Sequence, residues 1–262
     1  MNEDDIINNL FKELSEQKEI EAIALGGSRA GKDYDEKSDY DVYVYCNDII
    51  SEDVRKNILS KYCSYMELGN HFWEYEDNCI LKNGIDIDLI YRNLDEHIKE
   101  IANVVEKYKV SNGYSTCMWN NLITCKIVYD RNEKLANAKS RFNMKYPSEL
   151  KKNVIDRNMR LLHNSMPSYD HQILKAIKRK DKVNLGNRVT AFMDSYFDVI
   201  FALNEVTHPG EKRLVQKCKE QCEILPNNFE RNIEKLFEDL YVNPNMIEAD
   251  ISEIIKELER II

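Results

Sequence analysis

Long apolar stretches are missing from this sequence. No run approaches the ~18 residues that a membrane-spanning helix needs, so no membrane span is expected. The amino terminus, Met-Asn-Glu-Asp-Asp, is acidic and lacks the basic-then-apolar pattern of a secretory signal. No repeat or low-complexity linker is visible, and proline and glycine are scarce, 5 and 8 in 262 residues. The seven cysteines contain no Cys-x-x-Cys pair, and an odd count without a secretory signal points to a reducing compartment. A cytoplasmic location is therefore expected. Positive charge is also short: the net charge is −9 and the pI is near 5.2. A large nucleic-acid footprint needs Lys and Arg in excess on one face, so the balance argues against a nucleic-acid partner. One local exception, Lys175, Lys178, Arg179, Lys180 and Lys182, reads either as a solvated helix end or as a lobe facing a triphosphate or acidic substrate.

What is present is the composition of a globular enzyme. With 43% hydrophobic and 32% charged residues, 262 residues supply one large core or two modest ones. The most informative stretch is 25–45. A Gly26-Gly27-Ser28 turn follows an apolar run, and Asp39 and Asp41 stand at the head of an alternating β pattern. In a strand, residues i and i+2 share a face, about 6.6 Å apart. Two unit charges 4 Å apart repel by about 4 kcal/mol at an effective dielectric near 20, so clustered carboxylates stay solvated, share protons or hold a cation. Mg²⁺ takes one or two carboxylates plus waters and substrate phosphates. Gly26 and Gly27 let the backbone approach a phosphate, Ser28 can donate to one, and Arg29 adds charge nearby. A cation site beside an anion site suits a metal–nucleotide complex.

The chain reads in two parts. A helix over 3–18 carries Ile6, Ile7, Leu10, Phe11 and Leu14 on one side. Strands are expected over 20–25 and 40–46, the latter alternating Tyr40, Val42 and Val44 against Asp41, Tyr43 and Tyr45. A helix over 51–62 starts at Ser51 as N-cap. Residues 64–91 read as β structure over 65–68, 71–75, 79–81 and 85–91, with Lys82-Asn83-Gly84 as a hairpin signal. Asp86 and Asp88 share one face of the last strand. Asp95 is expected to cap a helix to about Lys107, followed by a strand over 124–129 and a helix over 132–143. Beyond Pro147-Ser148 strand signals disappear, and helices are expected over 148–164, 169–181, 184–205, 210–222, 227–240 and 246–261. The expected fold is α+β: a mixed-sheet domain over 1–146 followed by an all-α bundle over 147–262. A cleft between such domains is the expected place for a ligand. Cys218 and Cys222, at i and i+4 and so able to share a helix face, read as core or amphipathic positions, with a metal or redox pair as the alternative. Asn70 through Glu76 reads either as a half-buried strand, aromatics in and acids out, or as an aromatic-plus-acid wall for a polycationic sugar.

Gly26-Gly27-Ser28 followed by Asp39-Tyr40-Asp41 resembles the signature of the nucleotidyltransferase superfamily typified by DNA polymerase beta. The run Asp88-Leu89-Ile90-Tyr91-Arg92-Asn93-Leu94-Asp95 is similar to a bacterial nucleotidyltransferase-like subfamily akin to the aminoglycoside and lincosamide nucleotidyltransferases. Weaker similarity extends through Phe201-Ala202-Leu203-Asn204 and His208-Pro209-Gly210-Glu211-Lys212-Arg213. The resemblance implies an N-terminal nucleotidyltransferase domain and a helical domain covering substrate and nucleotide. It implies Asp39 and Asp41 as catalytic metal ligands, and Asp88 as the third metal ligand or the general base. Gly26, Gly27, Ser28, Arg29 and Lys212 would contact the nucleotide. One or two Mg²⁺ ions and ATP or another NTP are implied, with transfer of a nucleoside monophosphate, AMP in the first instance, to a hydroxyl of a small molecule such as an aminoglycoside- or lincosamide-like antibiotic. Two other readings stand beside it: modification of a macromolecule (protein AMPylation or addition to RNA), and a silent nucleotide-binding relative. The protein is expected as a monomer or homodimer.

Overall fold

The computed structural model of the protein describes residues 3–31, 38–72 and 74–262. The chain divides into two units, Met1–Ala102 with Asn121–Met144, and Asn103–Asn120 with Lys145–Ile262.

The first unit contains a six-stranded mixed sheet. In chain order its elements are α1 (Glu3–Ser15), β1 (Ile20–Leu25), α2 (Gly27–Ala30), β2 (Tyr40–Cys46), α3 (Glu52–Tyr62), β3 (Cys63–Asn70), β4 (Tyr75–Leu81), β5 (Asp86–Asn93) and α4 (Leu94–Val105). After α5 (Cys117–Thr124) come β6 (Lys126–Asp130) and α6 (Lys134–Phe142). The strand order is β3-β4-β5-β2-β1-β6, and β2 and β5 run parallel while the other pairs are antiparallel. Ile6, Ile7, Leu10, Phe11 and Leu14 of α1 are buried with Tyr40, Val42, Val44 and Cys46 of β2 and Ile87, Leu89 and Tyr91 of β5. Five of these on α1 recur at helical spacing and those on β2 at every second residue, so each element had one face to bury. The β4–β5 turn closes as the Lys82-Asn83-Gly84 signal implies: Leu81 N–H donates to Ile85 O over 2.8 Å, and Gly84 takes φ +88°.

Several local expectations are corrected. Tyr43 and Tyr45 are as buried as the residues they alternate with, so β2 is covered on both faces after Asp41. The described residues between Asn70, where β3 ends, and Tyr75, where β4 begins, are not in a strand. Of the expected aromatic-plus-acid stretch, Trp73 lies outside the described residues. Of the rest, Tyr75 packs on the core as the half-buried-strand reading expects, while Phe72 is exposed, Glu76 is buried and Glu74 pairs with Arg92, against its acids-out pattern. Ser51 makes no side-chain cap on α3. Asn93 caps α4 in place of Asp95, its Oδ1 accepting from Glu96 N–H at 3.0 Å, because a short side chain three residues back reaches that free donor.

Arg55 of α3 lies fully buried in this core. Its Nε is 3.1 Å from Asp77 Oδ2, and Nη1 donates to Tyr75 Oη at 2.8 Å. Gly69 N–H and Tyr91 Oη also donate to Asp77, at 2.8 and 2.9 Å. On the opposite face His97 is buried against Tyr45, rings 5.5 Å apart. Burial, then the Arg92 charge, pushes its pKa down to about 4. Folding thus keeps His97 neutral, and its contribution is whole above pH 6.5 and lost as pH falls toward 4. The loss by pH 4.5 is about 3 kcal/mol. Urea unfolding of wild type and His97→Leu at pH 7 and 4.5 checks this. Wild type is expected to lose about that much more than the variant, and equal losses would contradict it.

The second unit is helical: α7 (Ser148–Leu162), α8 (Tyr169–Arg179), α9 (Lys182–Leu203), α10 (Leu214–Gln221), α11 (Phe229–Val242) and α12 (Ile247–Glu259), with a short 3-10 turn at Pro244–Met246. The C-terminal half of α9 is buried among residues of α8, α10, α11 and α12. Cys218 and Cys222 are free thiols within this core. Lys175, Lys178, Arg179, Lys180 and Lys182 are all exposed around the end of α8, where a helix favours cations. No described helix is long and apolar enough to cross a membrane.

Residues 103–120, assigned by the sequence to the first domain, pack in the second unit. Buried polar bonds hold them there. Gly113 N–H donates to Asn158 Oδ1 at 3.1 Å, and Ser115 N–H to Asp198 Oδ1 at 3.0 Å. Asn158 Nδ2 donates to Asp198 Oδ2 at 2.9 Å, and His208 N–H to Thr116 Oγ1 at 2.8 Å. Sequence periodicity carries no trace of such bonds, because they join irregular backbone to single side chains on distant helices.

Candidate active site

The glycine turn and the acidic strands meet on one face of the sheet. β1 ends at Leu25, and Gly26 N–H donates to Asp41 O at 2.8 Å, which ties the turn to β2 beside the acid. Gly27 takes φ +55°, and a Cβ there would overlap Asp41 Oδ2. A Cβ on Gly26 would strike the Tyr43 ring. Both glycines are therefore required by close approach, and Gly27 also by its left-handed backbone. Gly27→Ala adds about 1–2 kcal/mol of backbone strain and must push the Asp41 carboxylate aside. The expected result is a lower melting temperature and a displaced Asp41 side chain in a crystal structure of the variant. An undisturbed Asp41 at unchanged stability would refute this packing.

Asp41 faces Asp88 directly across the parallel β2–β5 pair. Adjacent strands lie about 4.7–4.9 Å apart, so the two carboxylates rise side by side from one face. Both are half-buried. Asp39 precedes β2 and is half-buried, while Asp86 heads β5 and is exposed. Ser28 is exposed in the four-residue α2, whose N-cap is Gly26, so Ser28 is inside the helix rather than its cap. Arg29 is buried, its Nε donating to Ser38 O at 2.8 Å and its guanidinium 3.7 Å from the Tyr40 ring centroid. It fastens the segment leading into Asp39. Lys212 is an exposed residue of the second unit, before α10.

Of the neighbours of these acids, the sequence singled out Glu74 and Glu76 within the Asn70–Glu76 stretch but neither Asn78 nor Glu67. Across β5–β4–β3, Asp88 pairs in register with Asn78 and Asn78 with Glu67. Asn78 Nδ2 donates to Asp88 Oδ1 at 2.8 Å. Glu76 is buried, and burial followed by the Asp88 charge raises its pKa. Arg92 lies 4.1 Å from the Tyr43 ring centroid and holds Glu74 through two bonds of 2.7 and 2.6 Å. Burial opposes ionisation of Glu74, but the Arg92 bonds and charge outweigh it and hold its pKa low. Tyr43 is thus clamped between Arg92 and the Gly26 turn. Period-2 alternation in β4 puts Glu76 and Asn78 on one face, and the β4–β5 register makes it the face of Asp88.

Among the described residues, no three His, Cys, Asp or Glu side chains gather into a closed metal cage. The fit to Mg²⁺ rests on the adjacent pair, since this ion takes one or two carboxylates and completes its shell with water and phosphate oxygens. The donor set is all oxygen, as a hard cation requires.

Residues 8–109 match the family model described as "Polymerase beta, Nucleotidyltransferase", and residues 115–214 match a domain of unknown function, DUF4037. No curated protein matches the chain. Among solved structures, a nucleotidyltransferase-like protein from Exiguobacterium sibiricum aligns at 11% identity with a TM-score of 0.43, covering 99% of this chain and 74% of its own. An aminoglycoside 6-adenyltransferase from Bacillus subtilis aligns at 12% identity and TM-score 0.31, covering 100% of this chain and 91% of its own. The CCA-adding enzyme of Thermotoga maritima, complexed with tRNA, aligns at 11% identity and TM-score 0.30, over 98% of this chain and 81% of its own. Residues 8–109, which carry the glycine turn packed on Asp41 with Asp88 beside it, therefore form a nucleotidyltransferase domain of the polymerase beta-like superfamily, and a DUF4037 domain follows over residues 115–214.

Proposed function

We propose that this protein transfers a nucleoside monophosphate, AMP from ATP in the first instance, to a hydroxyl of a small acceptor. The observation that carries the reading is the register of Asp41 and Asp88, side by side on β2 and β5 with the Gly26–Gly27 turn closed against Asp41. Asp41 and Asp88 would hold Mg²⁺, with Asp39, two residues before Asp41, proposed as a further ligand. When bound, the ion would offset negative charge on the triphosphate oxygens and so make the α-phosphorus more open to attack. The chain's own part is to hold the reactants. The Gly27 backbone and the exposed Ser28 hydroxyl bind β- and γ-phosphate oxygens. Asp88 accepts the proton of the acceptor hydroxyl as its oxygen attacks the α-phosphorus, and pyrophosphate leaves in line. Catalysis then rests on positioning and charge compensation, with no covalent enzyme intermediate.

The acceptor class follows from charge. Glu67, Glu76 and Asp86 lie on the face of β3, β4 and β5 that carries Asp88, and the whole chain is net −9. An amine-bearing, polyhydroxylated acceptor such as an aminoglycoside fits that field better than an anionic one. The test is transfer of label from α-phosphate-labelled ATP with Mg²⁺ to four pools: aminoglycosides with lincosamides, cell metabolites, cell proteins and bulk RNA. Label in the antibiotic or metabolite pool is expected. Label in protein or RNA alone would replace the acceptor class, and no label with any NTP would shift the reading to nucleotide binding without transfer.

A further inference from the structure

A directional chain of side-chain amides leads away from Asp88. Asn78 Nδ2 donates to Asp88 Oδ1 at 2.8 Å, and Asn70 Nδ2 donates to Asn78 Oδ1 at 2.7 Å. The same Asn70 nitrogen reaches Glu67 Oε2 at 3.4 Å, and Tyr65 Oη donates to Glu67 Oε1 at 2.5 Å. The carboxylates at Asp88 and Glu67 accept only, so each amide nitrogen has to point toward an acid. Turning Asn78 over would set its oxygen against Asp88 Oδ1 and its nitrogen against the Asn70 nitrogen. The chain therefore has one low-energy direction. A donor is always presented to Asp88 Oδ1, which occupies that oxygen and sets the rotation of the carboxylate.

We infer that Asn78 is a positioning residue of the active site: it fixes Asp88 so that Oδ2 is the oxygen turned to metal and acceptor, and Asn70 holds Asn78 in that role. This rests on the reading of Asp88 proposed above. The backbone supports the assignment, since Asn78 is the register partner of Asp88 on β4 as Asp41 is on β2. Asp88 is thus flanked by the second acid on one side and by its orienting amide on the other. Groups that orient a metal-binding carboxylate in this way typically contribute ten- to hundredfold in metal affinity or activity.

The test is Mn²⁺ affinity of the full chain, read by water-proton relaxation in the presence of α,β-methylene-ATP. Asp41→Asn is the control for the metal site and should weaken Mn²⁺ at least a hundredfold. Asn78→Leu, which keeps size and removes the donor, should weaken it about tenfold with the melting temperature within about 2 °C of wild type. In an Asp88→Asn background the same change should add less than twofold, because its effect runs through Asp88. Asn70→Leu should weaken Mn²⁺ about threefold, and it serves as the assay variant if Asn78→Leu proves too unstable. Wild-type Mn²⁺ affinity in folded Asn78→Leu, or full additivity with Asp88→Asn, overturns this inference while the metal site stands. Unchanged affinity in Asp41→Asn overturns the metal reading and the inference with it.

Discussion

Asp41→Asn is expected to abolish nucleotidyl transfer and leave the fold intact. The substitution keeps the side chain's size and removes its charge beside Asp88. Asp41 is half-buried at the rim of β2 and is no part of the apolar core below it. Stability is therefore expected to stay within about 1 kcal/mol, as for other substitutions outside a core. Loss of a single group that compensates developing charge typically costs a hundred- to a thousandfold in turnover, and a direct metal ligand should cost at least as much. The measurement pairs label transfer from ATP with thermal unfolding. A silent, folded variant supports the assignment. Normal turnover in Asp41→Asn would refute it, and so would loss of activity that merely follows loss of folding. Asp39→Ala should act in the same direction.

Asp77→Ala should be the most damaging single change to the first unit. Arg55 and Asp77 are both wholly inaccessible, Nε to Oδ2 at 3.1 Å, with Tyr75 and Tyr91 rings about the guanidinium. Removing the carboxylate leaves a buried cation without its counter-charge, and it strips acceptors from Gly69 N–H and Tyr91 Oη. Breaking a buried pair from one side costs about 3–5 kcal/mol. That is a large part of a typical domain's stability. Urea unfolding checks the value. The double variant Arg55→Leu with Asp77→Leu should recover much of the loss, since an apolar pair has no charge to desolvate. A single-variant cost under about 1 kcal/mol would show that water reaches Arg55.

The two predictions differ in how much of them the sequence carries. Asp41 is legible because its chemistry is written locally. A glycine turn, two acids at strand spacing and a β-rich run lie within 21 residues, and each obeys a short-range rule. Asp77 is not. In the sequence it is one more acid among alternating residues of β4, and nothing local tells that Arg55, 22 positions earlier, lies against it. Its neighbour Glu76 misled for a related reason. Acids in a strand are expected outward, yet Glu74 and Glu76 turn to the covered face because Arg92 and the polar row beside Asp88 receive them.

The sequence by itself determined the order of a mixed sheet and then helices, the limits of β1 and β2, the β4–β5 hairpin and the presence of a nucleotidyltransferase signature. Those properties depend on periodicity, turn chemistry and a motif, all of which act over a few residues. Only the tertiary structure decided that Asp88 stands opposite Asp41, that Asn78 donates to it and that residues 103–120 join the helical unit. Each depends on which strands become neighbours and which buried donors find acceptors across long stretches of chain. Pairing of that kind is set by the packing of the whole unit, and no window of sequence contains it.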